Sequence, residues 1–262
     1  LRLMISDYHI HTKRCKHAEG EMREYVEKTI ELQISEIAFT DHIPLPDNFD
    51  SAHRMALNEL EDYLNDIKTL QDQYPEIKIH TGIEADFYDG FEEFLYQTCQ
   101  RFNFDISIMS VHFIKGWPKN NWVFSYYFPN RPIQEIYSDY LQALKKGINT
   151  GLFDIVGHLD LIKDEDFPLL KTNKSELLDV LKCVKTQSMA VEINTSGLRK
   201  EINDTYPNLN VLPILDKYQI PVTFGSDAHK PEQVGFQFET IEQELSNYPN
   251  IKVANITEAG LK

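Results

Sequence analysis

The chain has 262 residues, of which 42% are hydrophobic, and its 26 Lys and Arg residues against 41 Asp and Glu residues give a formal net charge of −15. This apolar content excludes a disordered chain, no apolar run approaches the ~20 residues of a membrane span, and we expect no secretory signal. The acidic balance disfavours binding to a phosphate backbone, so we expect neither a nucleic-acid partner nor a membrane partner.

Cysteine usage indicates the compartment. The chain has an odd number of cysteines, and they are widely spaced: Cys15, Cys99 and Cys183. This pattern argues against a disulfide framework. We therefore expect a protein of the reducing cytoplasm. The length suits a single domain spanning residues 1–262, and Leu1–Leu3, which precede a Met, are assigned no function.

Strand-like and helix-like segments alternate along the whole chain. The seven predicted strands are Met4–Ile10, Glu36–Asp41, Ile77–Glu84, Phe104–His112, Phe153–Leu159, Met189–Asn194 and Pro221–Asp227. The predicted helices are Glu21–Ile34, Leu57–Gln71, Phe91–Arg101, Pro132–Asn149, Lys174–Gln187, Asn208–Tyr218 and Phe238–Ser246. Such alternation is typical of an α/β fold with a parallel sheet, either doubly wound or closed into a barrel.

Potential metal ligands stand at the carboxyl ends of the predicted strands. Alternate residues of a strand point to the same side, so His9 and His11 can bind one cation together, as can Asp227 and His229. The other candidates, at strand ends or in the loop after the first strand, are His17, His42, Glu84, His112 and His158. One HxH pair is weak evidence, but seven of the nine histidines at such positions favour a metal site over chance.

The spread of these residues over many strands distinguishes the two folds. An open sheet concentrates its site at one switch point, whereas a barrel collects residues from many strand ends around one mouth. We therefore predict a distorted seven-stranded (β/α)7 TIM-like barrel. Imidazole and carboxylate donors suit Zn, Mn or Fe, and nine donors exceed the roughly four to six that one ion takes. We expect two or three divalent ions, bridged by Glu84, that attract a phosphate dianion.

The same stretches resemble the polymerase-and-histidinol-phosphatase (PHP) family, and within it the histidinol-phosphate phosphatases. The resemblance runs from residue 7 to 235 and rests on DYHIHTKRCKHAEGEMREYV, FTDHIPLP, GIEADF, FDISIMSVHFIKGW, FDIVGHLDLIK, EINTSGLRK and TFGSDAHKPEQVG. It implies a distorted seven-stranded barrel and a phosphatase that hydrolyses L-histidinol phosphate to L-histidinol and phosphate in histidine biosynthesis. Pro118-Lys119-Asn120 departs from the Gly, Phe and Asp usual in similar enzymes, so a substrate-facing loop is expected to differ.

The resemblance also implies three groups of metal ligands. The first ion would be held by His9, His11, Glu84 and Asp227, the second by Glu84, His112 and His158, and the third by His17, His42 and His229. In this hypothesis a hydroxide bridging two ions attacks phosphorus in line. Asp227 or His229 then helps to protonate the leaving alcohol.

Three further residues are predicted to contact the substrate. Arg199, in SGLRK after the sixth strand, is a candidate phosphate clamp with a catalytic part, since a guanidinium can bind two phosphoryl oxygens at once. Lys163 is a second phosphate candidate. Asp160, on the face of His158, is expected either to meet the substrate's amine or to orient a metal-bound histidine.

Other interpretations stay open from the residues. They are a PHP-type phosphatase for phosphotyrosine or another monoester, a nuclease or phosphodiesterase, an amidohydrolase, and a non-enzymatic metal-binding regulatory module. The cysteine chemistry of tyrosine-type phosphatases is excluded because no cysteine is followed six positions later by Arg. His80 is predicted to be a hydrogen-bonded core residue and His53 a surface residue. A loop rich in aromatic residues is expected to pack in the core and in part to line a pocket; it holds Trp117, Trp122, Phe124, Tyr126, Tyr127 and Phe128.

Overall fold

The computed structural model describes residues 6–117, 122–125, 130–164, 166–257 and 260–261. Seven parallel strands pair in sequence order: β1 Ser6–Ile10, β2 Glu36–His42, β3 Lys78–Asp86, β4 Ile106–Ser110, β5 Ile155–Val156, β6 Ala190–Asn194 and β7 Val222–Gly225. The sheet closes where the segment after β7 meets β1, because Ala228 bridges Ile10 and accepts a hydrogen bond from the His11 N–H at 2.9 Å. The predicted seven-stranded barrel is confirmed.

Eight α-helices connect or follow these strands in the described part of the chain: α1 Met22–Glu31, α2 Leu60–Gln73, α3 Glu92–Phe102, α4 Ile133–Asn149, α5 Leu169–Thr172, α6 Lys174–Thr186, α7 Leu212–Tyr218 and α8 Phe238–Leu245. All seven predicted helices are present. The one-turn helix α5 and a short antiparallel pair, β8 Ile256–Thr257 with β9 Gly260–Leu261, were not predicted. No helix in the described ranges is long and apolar enough to cross a membrane.

In helix α1 the residues spaced by one helical turn share a buried face, as the sequence predicted. Tyr25, Val26 and Thr29 are buried on one face, as a period of 3.6 residues requires. The helix begins after Glu21, whose backbone N–H is capped by the Glu24 carboxylate at 2.5 Å. The buried face packs on the outside of β2, and similar faces of the other helices complete the outer core.

Alternation along the strands decides which side chains enter the barrel. A small apolar cluster fills the amino end of its interior, with Ala38 on β2 among its members. His42 lies four residues further on the same side, at the carboxyl end. On β1 the pairing register shifts between Asp7 and Ile10, a bulge that turns both Tyr8 and His9 inward.

The fifth strand is shorter than predicted. Of the expected strand Phe153–Leu159, only Ile155–Val156 pairs with its neighbours. His158 has a φ of 22°, outside the extended region, so the chain turns there and cannot continue the ladder. The turn directs the His158 ring toward Glu84.

Candidate metal centre

The nine predicted ligands converge at the carboxyl end of the barrel. Within the described ranges, four groups of three donors have their ligand atoms within 4.8 Å of one another: His9, His11 and Glu84; His42, Glu84 and His112; His17, His42 and His229; and His11, Cys15 and His229. The grouping brings strand ends from β1, β2, β3 and β4 together with the loops after β1 and β7.

Glu84, at the end of β3, occupies the centre of the site. The nitrogen atoms of five imidazoles surround its two carboxylate oxygens, namely His42 at 2.9 Å, His158 at 3.0 Å, His9 and His11 at 3.5 Å and His112 at 3.8 Å. Burial raises the pKa of this carboxyl, but the charges of the imidazoles outweigh burial and hold the pKa well below its usual range. Glu84 is therefore a carboxylate able to contact two ions.

Asp227 joins the same centre from the turn after β7. Its Oδ1 lies 3.3 Å from His11 Nε2 and 3.9 Å from His9 Nε2. The residue has a φ of 52°, a left-handed conformation that costs a non-glycine residue free energy and often occurs at functional sites. Burial raises the pKa of Asp227, yet His9, His11 and His229 together lower it well below its usual value.

Several nitrogen and oxygen atoms at the centre of the site lack a hydrogen-bond partner. His9 Nε2, both ring nitrogens of His11, His42 Nδ1, Glu84 Oε2 and His158 Nδ1 are buried and without a hydrogen-bond partner. A buried polar group left unpaired costs about 1–3 kcal/mol, so a fold retains such groups only for a compensating partner. Converging imidazole and carboxylate donors fit divalent cations such as Zn, Mn or Fe.

Carboxylates behind the ligands fix the imidazole orientations. Glu192, buried on β6, accepts from His9 Nδ1 at 2.6 Å and from the His158 N–H at 2.8 Å. The close approach depends on Gly225, since a Cβ there would lie 1.8 Å from Glu192 Oε1. Asp86 likewise holds His112 Nδ1 at 2.7 Å. Such partners select the ring nitrogen that faces a metal.

Sequence reasoning assigned no role to these two carboxylates. A usable signal exists for both: Glu192 interrupts the apolar run of β6, and Asp86 follows Glu84 at the two-residue spacing of one strand face.

The outer part of the site is formed by His17, His42 and His229. The Nε2 atoms of His17 and His229 are 3.0 Å apart, and their Nδ1 atoms bond to backbone carbonyls. Burial lowers the pKa of His42 to about 4, so this imidazole is neutral and free to bind a cation at neutral pH.

Cys15 is buried beside this outer group. Its N–H donates to the Thr12 carbonyl at 3.1 Å and closes the 3-10 turn Lys13–Cys15. Burial would raise the pKa of the thiol, but the neighbouring imidazoles of His11, His17 and His229 lower it to about 4. The sequence motifs argue against Cys15 as a nucleophile and do not predict its place among the ligands.

A cavity of about 390 Å³ opens above the cluster. Beside predicted ligands it is lined by two cationic side chains, Arg54 and Lys200, and by the rings of His53, Trp122 and Phe124. Arg54 is buried and donates to Asp50 at 2.8 Å and to Asp86 at 3.0 Å.

The residues discussed above that were not predicted as ligands lie partly at the mouth of the barrel and partly away from it. His53 is exposed at the mouth, as expected of a surface residue, and its ring stacks on Trp122 with centroids 5.7 Å apart. His80 bonds to Glu36 at 3.0 Å, as predicted, but it is only partly buried and so lies at the edge of the core. Trp117 is buried and donates to Asp139 at 3.0 Å. The departures at Pro118-Lys119-Asn120 and the aromatic residues Tyr126, Tyr127 and Phe128 lie outside the described residues.

Arg199 lies beneath the turn that carries Asp227. Its Nη2 donates to the carbonyls of Ser226 at 2.8 Å and Asp227 at 3.1 Å, and its guanidinium lies 5.4 Å from the Phe236 ring centre. The next residue, Lys200, lines the mouth instead. The phosphate-clamp role of Arg199 stays a prediction.

Lys163 and Asp160 line a second cavity, of about 850 Å³, beside the fifth strand. Lys163 Nζ lies 2.6 Å from Asp204 and 3.3 Å from Asp160. Burial raises the pKa of Asp160 to about 7, even though Lys163 and the Asn208 N–H oppose the rise. Their contact with substrate also stays a prediction.

Comparisons with known proteins agree with this geometry. The family model described as PHP domain matches residues 7–196, and a model described as PHP-associated matches residues 206–246. A probable histidinol-phosphatase of Deinococcus radiodurans is 35% identical over 242 residues, which cover 92% of each chain. The histidinol-phosphatase of Bacillus subtilis is 30% identical and covers 89% of this chain and 96% of its own.

A solved structure shares the fold. The histidinol phosphate phosphatase of Lactococcus lactis, in complex with Zn, L-histidinol and phosphate, aligns with a TM-score of 0.84 at 22% identity over 99% of both chains.

Proposed function

This chain belongs to the PHP domain family, and on that premise we propose that its barrel mouth is a phosphomonoesterase site for L-histidinol phosphate, which it hydrolyses to L-histidinol and phosphate. The enzyme would act in the cytoplasm, in histidine biosynthesis, without a nucleic-acid or membrane partner. The relatives from Deinococcus radiodurans and Bacillus subtilis, both matched along most of their length, support the substrate.

The observation that carries the proposal is the buried cluster of unpartnered donors around Glu84. His9, His11, Glu84 and Asp227 would hold one ion, Glu84, His112 and His158 a second, and His17, His42 and His229 a third. When bound, such ions neutralise phosphoryl oxygens and lower the pKa of the attacking water.

The protein's own groups then position the substrate and move protons. Lys200 at the mouth supplies a cation for the phosphate, and Arg54 fixes Asp86 and through it His112. Asp227 is ionised because its pKa is held low, so it can accept a hydrogen bond from the attacking water and orient it. In this proposal Asp227 or His229 helps to protonate the leaving alcohol. His229 Nδ1, 3.0 Å from the Asp227 carbonyl, keeps this turn in place.

The rest of the mouth suits the histidinol part. The Trp122 and Phe124 rings are 5.1 Å apart and, with His53, give an aromatic wall against which an imidazole can stack. Asp50, at the same rim, bonds to His53 at 2.6 Å and to Arg54 at 2.8 Å and so holds this wall in place.

A substrate panel tests the proposal. We expect kcat/KM for L-histidinol phosphate, measured with Mn- or Zn-loaded protein, to exceed that for p-nitrophenyl phosphate and phosphotyrosine by at least ~100-fold, about 2.7 kcal/mol of transition-state binding. A short oligonucleotide should not be cleaved. Comparable slow rates on all monoesters would refute the substrate, and no hydrolysis by metal-loaded protein would refute the phosphatase itself.

A further inference from the structure

The Cys15 thiol lies in the metal centre but has no part in the proposed reaction. The side chain is fully buried, and one donor atom each of His11, Cys15 and His229 lies within 4.8 Å of the others. A buried free cysteine usually packs as a small apolar side chain, so a thiol surrounded by imidazole groups is unusual unless it serves as a ligand.

The surrounding atoms point to a cation rather than to a hydrogen-bonded core. Both ring nitrogens of His11 are buried and have no hydrogen-bond partner. The Cys15 carbonyl holds His17 Nδ1 at 2.7 Å, which leaves His17 Nε2 facing His229 Nε2. His229 belongs both to the group with the Cys15 thiol and to the outer group of His17, His42 and His229, so the thiol lies beside the outer position.

We propose that Cys15 supplies a thiolate to the outer ion, the one held by His17, His42 and His229. The inference rests on the proposed metal centre and adds one ligand to it. When the sulfur–metal bond forms, the proton held by the thiol or by the imidazole next to it passes to solvent, so no oxidant or reductant is needed. A soft sulfur donor makes the outer position prefer Zn over Mn.

The wild-type protein provides the first test, since no variant has to fold. After zinc loading, X-ray absorption at the zinc edge should show a sulfur neighbour at about 2.3 Å beside nitrogen and oxygen neighbours. Cobalt-substituted protein should show a thiolate-to-cobalt charge-transfer band in the near ultraviolet. Bound ions with nitrogen and oxygen neighbours only would overturn the thiolate ligand and leave the phosphatase proposal standing. Protein that binds no zinc or cobalt at all would instead overturn the metal centre itself.

Variants then identify the sulfur. Cys15→Ser should abolish the charge-transfer band, release one proton fewer during zinc titration, and reduce the preference for Zn over Mn at least about 10-fold. Cys99→Ser, on α3 and remote from the cluster, is the matched control and should change none of these quantities. A band that persists in Cys15→Ser would overturn the assignment.

Discussion

Both ends of the barrel bury a glutamate, but only the glutamate at the amino end has both carboxylate oxygens hydrogen-bonded. At the amino end, Glu36 accepts from Tyr8 at 2.5 Å and pairs with His80 at 3.0 Å, and the Tyr8 hydroxyl also accepts from the Ile256 N–H. At the carboxyl end, Glu84 faces several imidazoles, yet its Oε2 has no hydrogen-bond partner. Both glutamates lie on neighbouring strands of one sheet, so burial alone does not explain the difference.

The contrast separates structural from functional polar groups. A closed network such as that of Glu36 keeps the hydrogen bonds that burial would otherwise remove. The cluster around Glu84 is paired only in part, since His158 bonds to Glu84 while other imidazole nitrogens and Glu84 Oε2 have no partner. Unpartnered nitrogen and oxygen atoms that face one point suit a cation between them. The amino end should therefore respond to substitution through stability, and the carboxyl end through activity and metal binding.

The largest expected effect is at Glu84. Glu84→Gln keeps the shape of the side chain but removes the charge that would join two ions, so we expect kcat/KM to fall at least about 1,000-fold. Elemental analysis of the purified protein should show fewer bound ions. Circular dichroism serves as the folding control. A folded variant with near-normal turnover and full metal content would contradict the central role of this carboxylate.

Metal removal should give the next largest effect. An ion at about 1,000 times its Kd stabilises the folded state by about 4 kcal/mol, which corresponds to a Tm shift of roughly 10 °C in a chain of this size. We therefore expect a chelator to lower the Tm of the wild-type protein by that amount. The Glu84→Gln protein is the control and should respond much less. An unchanged wild-type Tm would mean that the unpartnered donors are not metal ligands.

A matched pair of glutamates tests the comparison directly. Glu192→Gln weakens the hydrogen bond that orients His9, so we expect a loss of about 10- to 100-fold in kcat/KM or in metal affinity. Glu36→Gln, at the paired end, should lower stability by about 1–3 kcal/mol and leave kcat/KM within about twofold. Equal losses of activity in both variants would remove the distinction between the two ends.

Much of this arrangement could be predicted from the sequence because parallel strands place their carboxyl ends together. His42 directly follows one predicted strand and Glu84 ends the next, and in the structure they are register partners on β2 and β3. Alternation along β1 likewise predicted that His9 and His11 share a side. The barrel and the convergence of the donors follow from local patterns of this kind.

The remaining features depend on distant contacts or on local turns. The partner of Glu192 is His9, 183 residues away, and no local pattern identifies such a pair. Whether Arg199 faces the mouth depends on the loop conformation, and its Nη2 instead bonds to the Ser226 and Asp227 carbonyls. The early end of β5 follows from the φ of His158, which strand propensity does not encode.

Asp160 gives the smallest and most specific test, since it too has a buried oxygen, Oδ1, without a partner. No imidazole contacts it among the described residues, so burial raises its pKa to about 7, whereas the pKa of Glu84 is lowered. Between about pH 4 and pH 7, Asp160 is therefore protonated in the folded protein and ionised in the unfolded chain. Stability contributed by this group falls as the pH rises through that window.

Asp160→Asn removes this dependence. An amide can still accept from the Asn208 N–H, which now donates to Asp160 at 2.9 Å, so the fold should be retained. We expect the free energy of unfolding of the variant, relative to that of wild type, to be about 1 kcal/mol higher at pH 8 than at pH 5, or roughly 3 °C in Tm. Asp72→Asn, at an exposed position of α2, should show no such difference between the two pH values. An equal effect of Asp160→Asn at both pH values would mean that Asp160 is ionised in the folded protein despite its unpartnered oxygen. Such an oxygen could then occur without either a proton or a cation, and it would not by itself identify a metal site.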